Sequence, residues 1–324
     1  MIGTMTPRSV LHVVKLHKLE TAIAALASLI VGLAALHVSW RLAGLSVPGA
    51  CLRPLEELTL GTASCLSYLE ALGRIYYGEA GHIHAIMAVL PGAVGLLAGV
   101  PIVGRELEGG TAEFAWAVAP SRRAWFIRQA IGIGLPLAVC FGFAAVASDV
   151  LETTRRPLIP ATPFDNLGLY GVLAFTRMLA AFGLGLVLGA LTGRTLPAFV
   201  IGSVVMAGLV VGAGLSREAW ASVQPTVVVD ETRGDPFDGE IVGRAWIGPA
   251  GEFVTDAGAR DRVPADVRGD PDGWLMAHGY EQVALGITRE TGERWQPLEG
   301  AGWVAAAIAF AGGSLWLVHR RRPV

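Results

Sequence analysis

Six stretches of about twenty apolar residues each, at 21–40, 83–103, 129–148, 169–191, 196–215 and 300–318, constrain this chain more than any other feature. Each is long enough for a helix to cross the hydrocarbon core of a bilayer. Inside lipid the backbone must satisfy its own hydrogen bonds, so these runs are expected to be helices and not irregular segments. Composition agrees, with 53% hydrophobic and only 16% charged residues, where a soluble domain usually carries about 25% charged. The fold class that follows is an all-α polytopic membrane protein with six transmembrane helices.

Basic residues set the orientation, because they stay on the cytoplasmic side. With the N-terminus inside, the inward pieces 1–20, 104–128, 192–195 and 319–324 hold 11 basic and 4 acidic residues. The outward pieces 41–82, 149–168 and 216–299 hold 13 basic and 23 acidic residues. Both termini are therefore expected in the cytoplasm. The first apolar run exceeds the 7–15 residues of a signal-peptide core and reads as an uncleaved span. Segment 10–20 mixes Leu11, Val14 and Leu19 with Lys15, His17 and Lys18, which suits either an interfacial helix or a solvated leader.

The domain organisation expected is an interfacial segment at 1–20, five spans within 21–215 including a coupling loop at 104–128, a small extracytoplasmic domain at 216–299, and the sixth span with a basic tail at 300–324. The outer segment is rich in Gly and Pro, with β-favouring patches at 226–229 and 241–247. A compact α/β or mostly irregular cap on the outer ends of the spans is expected. Cys51 and Cys65 share the first outward loop, where an oxidising environment favours a disulfide contributing about 3 kcal/mol. Cys140 lies alone in the third span.

Chemistry-bearing motifs are scarce. Neither lysine sits in a phosphate-binding P-loop, and no His-Glu-x-x-His zinc motif is present. His82 and His84, with Glu79 nearby, are the nearest approach to a metal site, and interfacial histidines are their ordinary reading. Ser314 has no visible base to activate it. Nothing identifies an enzyme, and neither a cofactor on this chain nor a nucleic-acid partner is expected.

The insert between the second and third runs is more specific. Gly109-Gly110 supplies a flexible turn, Thr111 is placed to cap a helix from Ala112, and Glu113 complements its dipole. Pro120 ends that helix near Ala119, and Ser121 caps the next. Arg122, Arg123 and Arg128 then mark the inner interface, with Trp125 as an aromatic anchor.

The pattern Arg105-Glu106-x-Glu108-x-Gly110-Thr111, Trp116, Pro120-Ser121-Arg122-Arg123-x-Trp125 resembles the coupling segment of type-2 ABC exporter permeases, and among them a branch common in high-GC actinobacteria. Residues 189–198, the paired outer cysteines, Trp246 with Asp256-Ala257-Gly258, and Trp295-Gln296 continue the likeness; 287–294 departs from it. The resemblance implies a permease in the inner (cytoplasmic) membrane, paired with a separate ATP-binding subunit that carries ATP and Mg2+, two copies of each. It also implies that Arg105, Glu106, Glu108, Gly110, Thr111, Glu113, Trp116, Arg122 and Arg123 form the docking element, and that transport runs outward.

Arg177 is charged and lies inside a span, so it is either a structural anchor snorkelling outward or part of a substrate path with Tyr170 and Phe175. Asp149, Glu152 and Asp165 are its expected partners. A secondary transporter is the first alternative, and the absence of Asp or Glu from the assigned spans speaks against it. A membrane sensor whose outer domain binds a ligand is the second.

Overall fold

The computed structural model describes residues 18–46, 63–155, 164, 166–229, 239–264, 267 and 269–320. The predicted interfacial segment, Cys51, Asp165 and the last four residues lie outside them, or nearly so. Among the described residues six helices are long and apolar enough to cross a membrane, and the fold class is as the sequence implies: a helical, multi-pass membrane protein with a small sheet region between spans 5 and 6.

Span 1 is α1 (Lys18–Ala43). Span 2 is longer than its apolar run. It starts as α2 (Ala63–Gly73), passes through a π-helical turn at Arg74–Glu79 and continues as α3 (Ala80–Glu108). Half of the expected outward loop 41–82 is thus helix. Leu72, Ile75, Tyr76, Ala80 and Ile83 bury one face of it, while the charges that made it read as a loop stay at the edges. Glu79, for example, pairs with Arg41 at the end of α1. A short helix, α4 (Ala112–Val118), leads into span 3, α5 (Arg122–Arg155). Spans 4 and 5 are α6 (Gly171–Thr192) and α7 (Thr195–Ala221).

Contacts divide the chain into two compact units, one of Met1–Ile159, Asn166–Val211 and Leu298–Val324, the other of Pro160–Asp165 and Gly212–Pro297. In the first, α3 and α6 form the centre because their backbones nearly touch. A methyl group on Gly95 would stand 2.6 Å from the Met178 carbonyl, and one on Gly185 2.9 Å from the Val100 nitrogen. Gly99 and Gly189 repeat the approach one turn further along. Lipid supplies no hydrophobic drive between helices, so small residues at four-residue spacing are what allow such packing. The other close pair is α1 with α5, joined by a 2.9 Å hydrogen bond between Ser39 Oγ and Thr154 Oγ1.

The second unit carries β1 (Val227–Val229), β2 (Gly239–Ile247), β3 (Phe253–Thr255) and β4 (Glu281–Thr288), antiparallel in the order β1-β4-β2-β3. Short helices α8 (Asp256–Arg260), α9 (Pro271–Ala277) and α10 (Arg289–Glu293) surround them. Trp246, Val254, Ala259 and Leu275 make its core, and Trp246 Nε1 donates to Asp256 Oδ1 at 3.1 Å. Arg262 bridges Glu252 and the Tyr280 hydroxyl at 3.0 and 2.9 Å. A bond from its own backbone amide, then the Arg262 side chain, hold the Glu252 carboxyl below the usual range. Both β-favouring patches of the sequence are strands. Span 6 is α11 (Trp295–Arg320).

Candidate functional site

Two places concentrate the polar groups of the membrane unit. The first is the bundle end that carries the 109–111 and 193–194 turns. There α3 closes in a fixed turn: Gly110 N bonds the Leu107 carbonyl at 3.3 Å, Thr111 N bonds the Glu106 carbonyl at 3.0 Å, and Gly110 sits at φ +66°. Those two bonds around a left-handed residue are the Schellman arrangement, which favours glycine at that position. The Gly-Gly turn is therefore set, not flexible. Thr111 is a further correction. Its side chain makes no cap to α4 and instead donates to Glu106 Oε2 at 2.5 Å, because its backbone is already helical (φ −89°, ψ −8°) and not extended as at an N-cap. Ser121 does cap α5, accepting from Ala124 N at 3.1 Å.

The charges of this end tie the chain to itself. Glu108 Oε2 accepts from Thr195 N at 3.0 Å and from Thr195 Oγ1 at 2.7 Å. A carboxylate there satisfies an orphan amide and meets the positive end of the α7 dipole. Arg105 pairs with Glu20 on α1. The ends of spans 1, 2 and 5 are thereby linked through α3. Trp116 is buried edge-to-face against Trp125 at 6.3 Å, and the Arg122 guanidinium lies 4.8 Å over its ring. Arg123 and Glu113 are exposed.

What α4 presents outward is mostly apolar. Phe114 is 76% exposed and Val118 72%, one turn apart on the face opposite Ala112 and Trp116. Neither was among the expected docking residues. Two apolar pairs at i, i+4 lie on this seven-residue helix, and the described residues cover one of them.

The second place is Arg177 in α6. Its Nη2 donates to Glu299 Oε1 at 2.6 Å, its Nη1 donates to the Gly168 carbonyl at 3.1 Å, and Trp303 Nε1 donates to the same Glu299 oxygen at 3.2 Å. Arg177 and Glu299 are 5% and 6% exposed. At Gly168 (φ +88°) a side chain would run into the guanidinium, so glycine is required twice over. Glu152 lies 3.3 Å from Arg155 and 3.4 Å from His84, and Asp165 is outside the described residues. Glu299 was placed in the outer segment because it is charged, yet α11 begins before it and buries it. With Glu152 and Glu299 both buried in spanning helices, the lack of intramembrane carboxylates no longer separates this chain from an ion-coupled carrier.

Arg177 also forms part of the wall of a cavity of about 470 Å³ between α3 and α7. Val89, Pro91 and Leu96 line it from α3, and Phe199, Met206 and Val210 from α7. Tyr170 and Phe175 do not; Phe175 packs toward Gly142 of α5, on the far side of α6. At the expected histidine site, Glu79 is paired with Arg41 and His82 Nδ1 lies 2.5 Å from the Gly78 carbonyl. Among the described residues no group of three or more ligating side chains converges.

Over residues 19–217 the chain matches the family described as ABC-2 membrane transporter related. The match takes in spans 1 to 5, both turns, the short helix α4 and the Arg177 cavity. No curated protein and no solved structure matches the chain.

Proposed function

From its place in the ABC-2 membrane transporter related family, to which the chain belongs, we propose that it is the membrane-spanning permease of an ATP-binding-cassette exporter. A separate ATP-binding subunit hydrolyses ATP with Mg2+ and docks on α4, which then faces the cytoplasm of a cell whose inner membrane holds the chain. The membrane subunit acts as two copies, and substrate leaves outward. The observation that carries this reading is the build of α4. It is a short helix with a locked turn before it, a proline stop behind it, and an outward face of Phe114, Ala117 and Val118 flanked by Glu113 and Arg123.

Work delivered to α4 has a rigid route inward. The Schellman turn joins it to span 2, the Trp116–Trp125 contact joins it to span 3, and the Glu108–Thr195 bonds carry any shift to span 5. The expected roles of Glu106 and Glu108 change accordingly. They hold the lever together, and the apolar pair Phe114 and Val118 makes the larger contact with the ATPase. Arg105, Gly110, Thr111, Trp116 and Arg122 serve the same internal purpose.

Support for a second copy comes from α7. Gly208 and Gly212 repeat the four-residue spacing of the central helices, yet a methyl on either would meet nothing within 4 Å. The test is to express the chain with the ATP-binding-cassette subunit encoded beside it and copurify the two. Phe114→Asp should insert and melt as the parent does but lose the ATPase. Undiminished copurification by Phe114→Asp and Val118→Asp together would sink the docking assignment. The proposed disulfide of Cys51 with Cys65 is open to peptide mapping without reduction.

A further inference from the structure

The cavity beside Arg177 has walls that specify what fits it. Its lining is hydrocarbon apart from Ser203 on α7 and Arg177 on α6. The Ser203 hydroxyl already donates to the Phe199 carbonyl of its own helix at 2.9 Å, which leaves the guanidinium as the polar handle. An occupant must therefore be apolar along most of its length. A volume of about 470 Å³ falls in the range of about 300–1,000 Å³ that accommodates a drug-sized molecule.

The sign of the head follows from which member of the buried pair faces the space. Arg177 lines the cavity, whereas Glu299 is not among its walls. A cationic head would meet the guanidinium before it met the carboxylate. A neutral one would leave the pair as it is. An anionic head can replace Glu299 on Arg177, and the guanidinium fork is shaped for two acceptor oxygens. The Trp303 Nε1 bond to Glu299 Oε1 would remain after the exchange. The site thus holds a carboxylate in apolar surroundings now, and an incoming one would trade places with it.

We propose that the cavity between spans 2 and 5 binds an amphiphile with an anionic head, which displaces Glu299 from Arg177. This deepens the permease reading by naming a substrate class, and it rests on that reading for any transport role. The exchange also couples occupancy to span 6, since Glu299 is the point at which that helix grips Arg177.

The chain in phosphatidylcholine nanodiscs is exposed to hexadecanoate bearing a diazirine on its tail, and the labelled residues are mapped by mass spectrometry. The alcohol of the same length is the control. Labels are expected on α3 and α7 around Leu96 and Met206, with the alcohol labelling weakly. Losing one charge-assisted contact through Arg177→Gln should cut labelling about tenfold or more. Ala93→Phe, which fills the cavity and leaves the pair intact, should abolish it. Glu299→Gln should raise it and make the melting temperature rise with added hexadecanoate, a response that a purely structural ion pair would not give. Where either substitution of the pair prevents folding, Ala93→Phe and the alcohol control carry the test. Equal labelling by the alcohol, indifference to Ala93→Phe, or no gain with Glu299→Gln would each overturn the proposal. Phosphatidylglycerol added to the nanodiscs separates the sources: competition assigns the site to a membrane lipid head, and no competition to the free acid. No ATPase is needed, so absent labelling beside intact ATPase copurification removes this inference alone.

Discussion

Spans 2 and 4 differ from spans 5 and 6 in almost nothing that hydropathy measures. Their most apolar 18-residue stretches have mean hydropathies of 2.2 and 1.9 against 2.3 and 1.7, yet 61% of those residues are buried in the first two and 17% in the last two. Apolarity sends all four into lipid, but lipid is as apolar as they are and gives no reason for any two to meet. What separates the pairs is how closely the backbones can come. Gly99 faces Gly185, Gly95 faces the Met178 carbonyl and Gly189 the Val100 carbonyl, each with no room for a methyl group. Gly208 and Gly212 on span 5 have the same spacing, and Gly312 on span 6 is equally bare, but open space surrounds all three. The motif is filled by the chain itself in one place and left open in the other.

The most direct way to break this contrast is to put the same bulk on both sides of it. Gly99→Leu with Gly185→Leu forces side chains into backbone and should cost more than about 3 kcal/mol, beyond ordinary overpacking. We expect no monodisperse peak in size-exclusion chromatography. Gly208→Leu with Gly212→Leu should leave that peak and its melting temperature in place while abolishing cross-links between two copies. If the second double variant collapses like the first, the distinction between a filled and an open face is wrong.

The next largest effect sharpens how span 6 is held. It approaches span 4 at Gly183, where a methyl would stand 2.9 Å from the Ala307 carbonyl, and at the Arg177–Glu299 pair. Removing one partner leaves a buried charge unmatched, so Arg177→Gln or Glu299→Gln should each destabilise by about 3–5 kcal/mol. Arg177→Leu with Glu299→Leu should recover most of that, because two apolar groups have nothing to match. Thermal melts in nanodiscs read the difference. A double variant as unstable as the worse single one would mean that the pair is held by its surroundings more than by its charges.

These contrasts also mark what could be read in advance. The six spans, the Pro120 stop, the Ser121 cap and the two strand patches were legible because each rests on a local pattern. The length of span 2 was not, since Glu70, Arg74 and Glu79 looked like loop charges until Arg41 was placed beside the last of them. The partner of Arg177 was hidden for a different reason: Glu299 is 122 positions away, and no local pattern links them. The glycine spacings were visible throughout. Sequence alone does not say which of the three pairs is matched within the chain, because that depends on where the helices lie. Phe114 and Val118 were passed over in favour of charges, of which Arg105, Glu106 and Glu108 bond within the chain.

The smallest effect is the most telling about an open face. Gly312→Ala puts a methyl where nothing lies within 4 Å, so packing cannot object. Alanine has the better helix propensity, by about 1 kcal/mol in a helix interior. The substitution should therefore raise stability slightly, whereas the same change at Gly95, facing the Met178 carbonyl, should lower it. The two melting curves should shift in opposite directions for one chemical change. A fall at Gly312 comparable to that at Gly95 would mean that span 6 already has a neighbour there, one that a single copy of the chain does not supply.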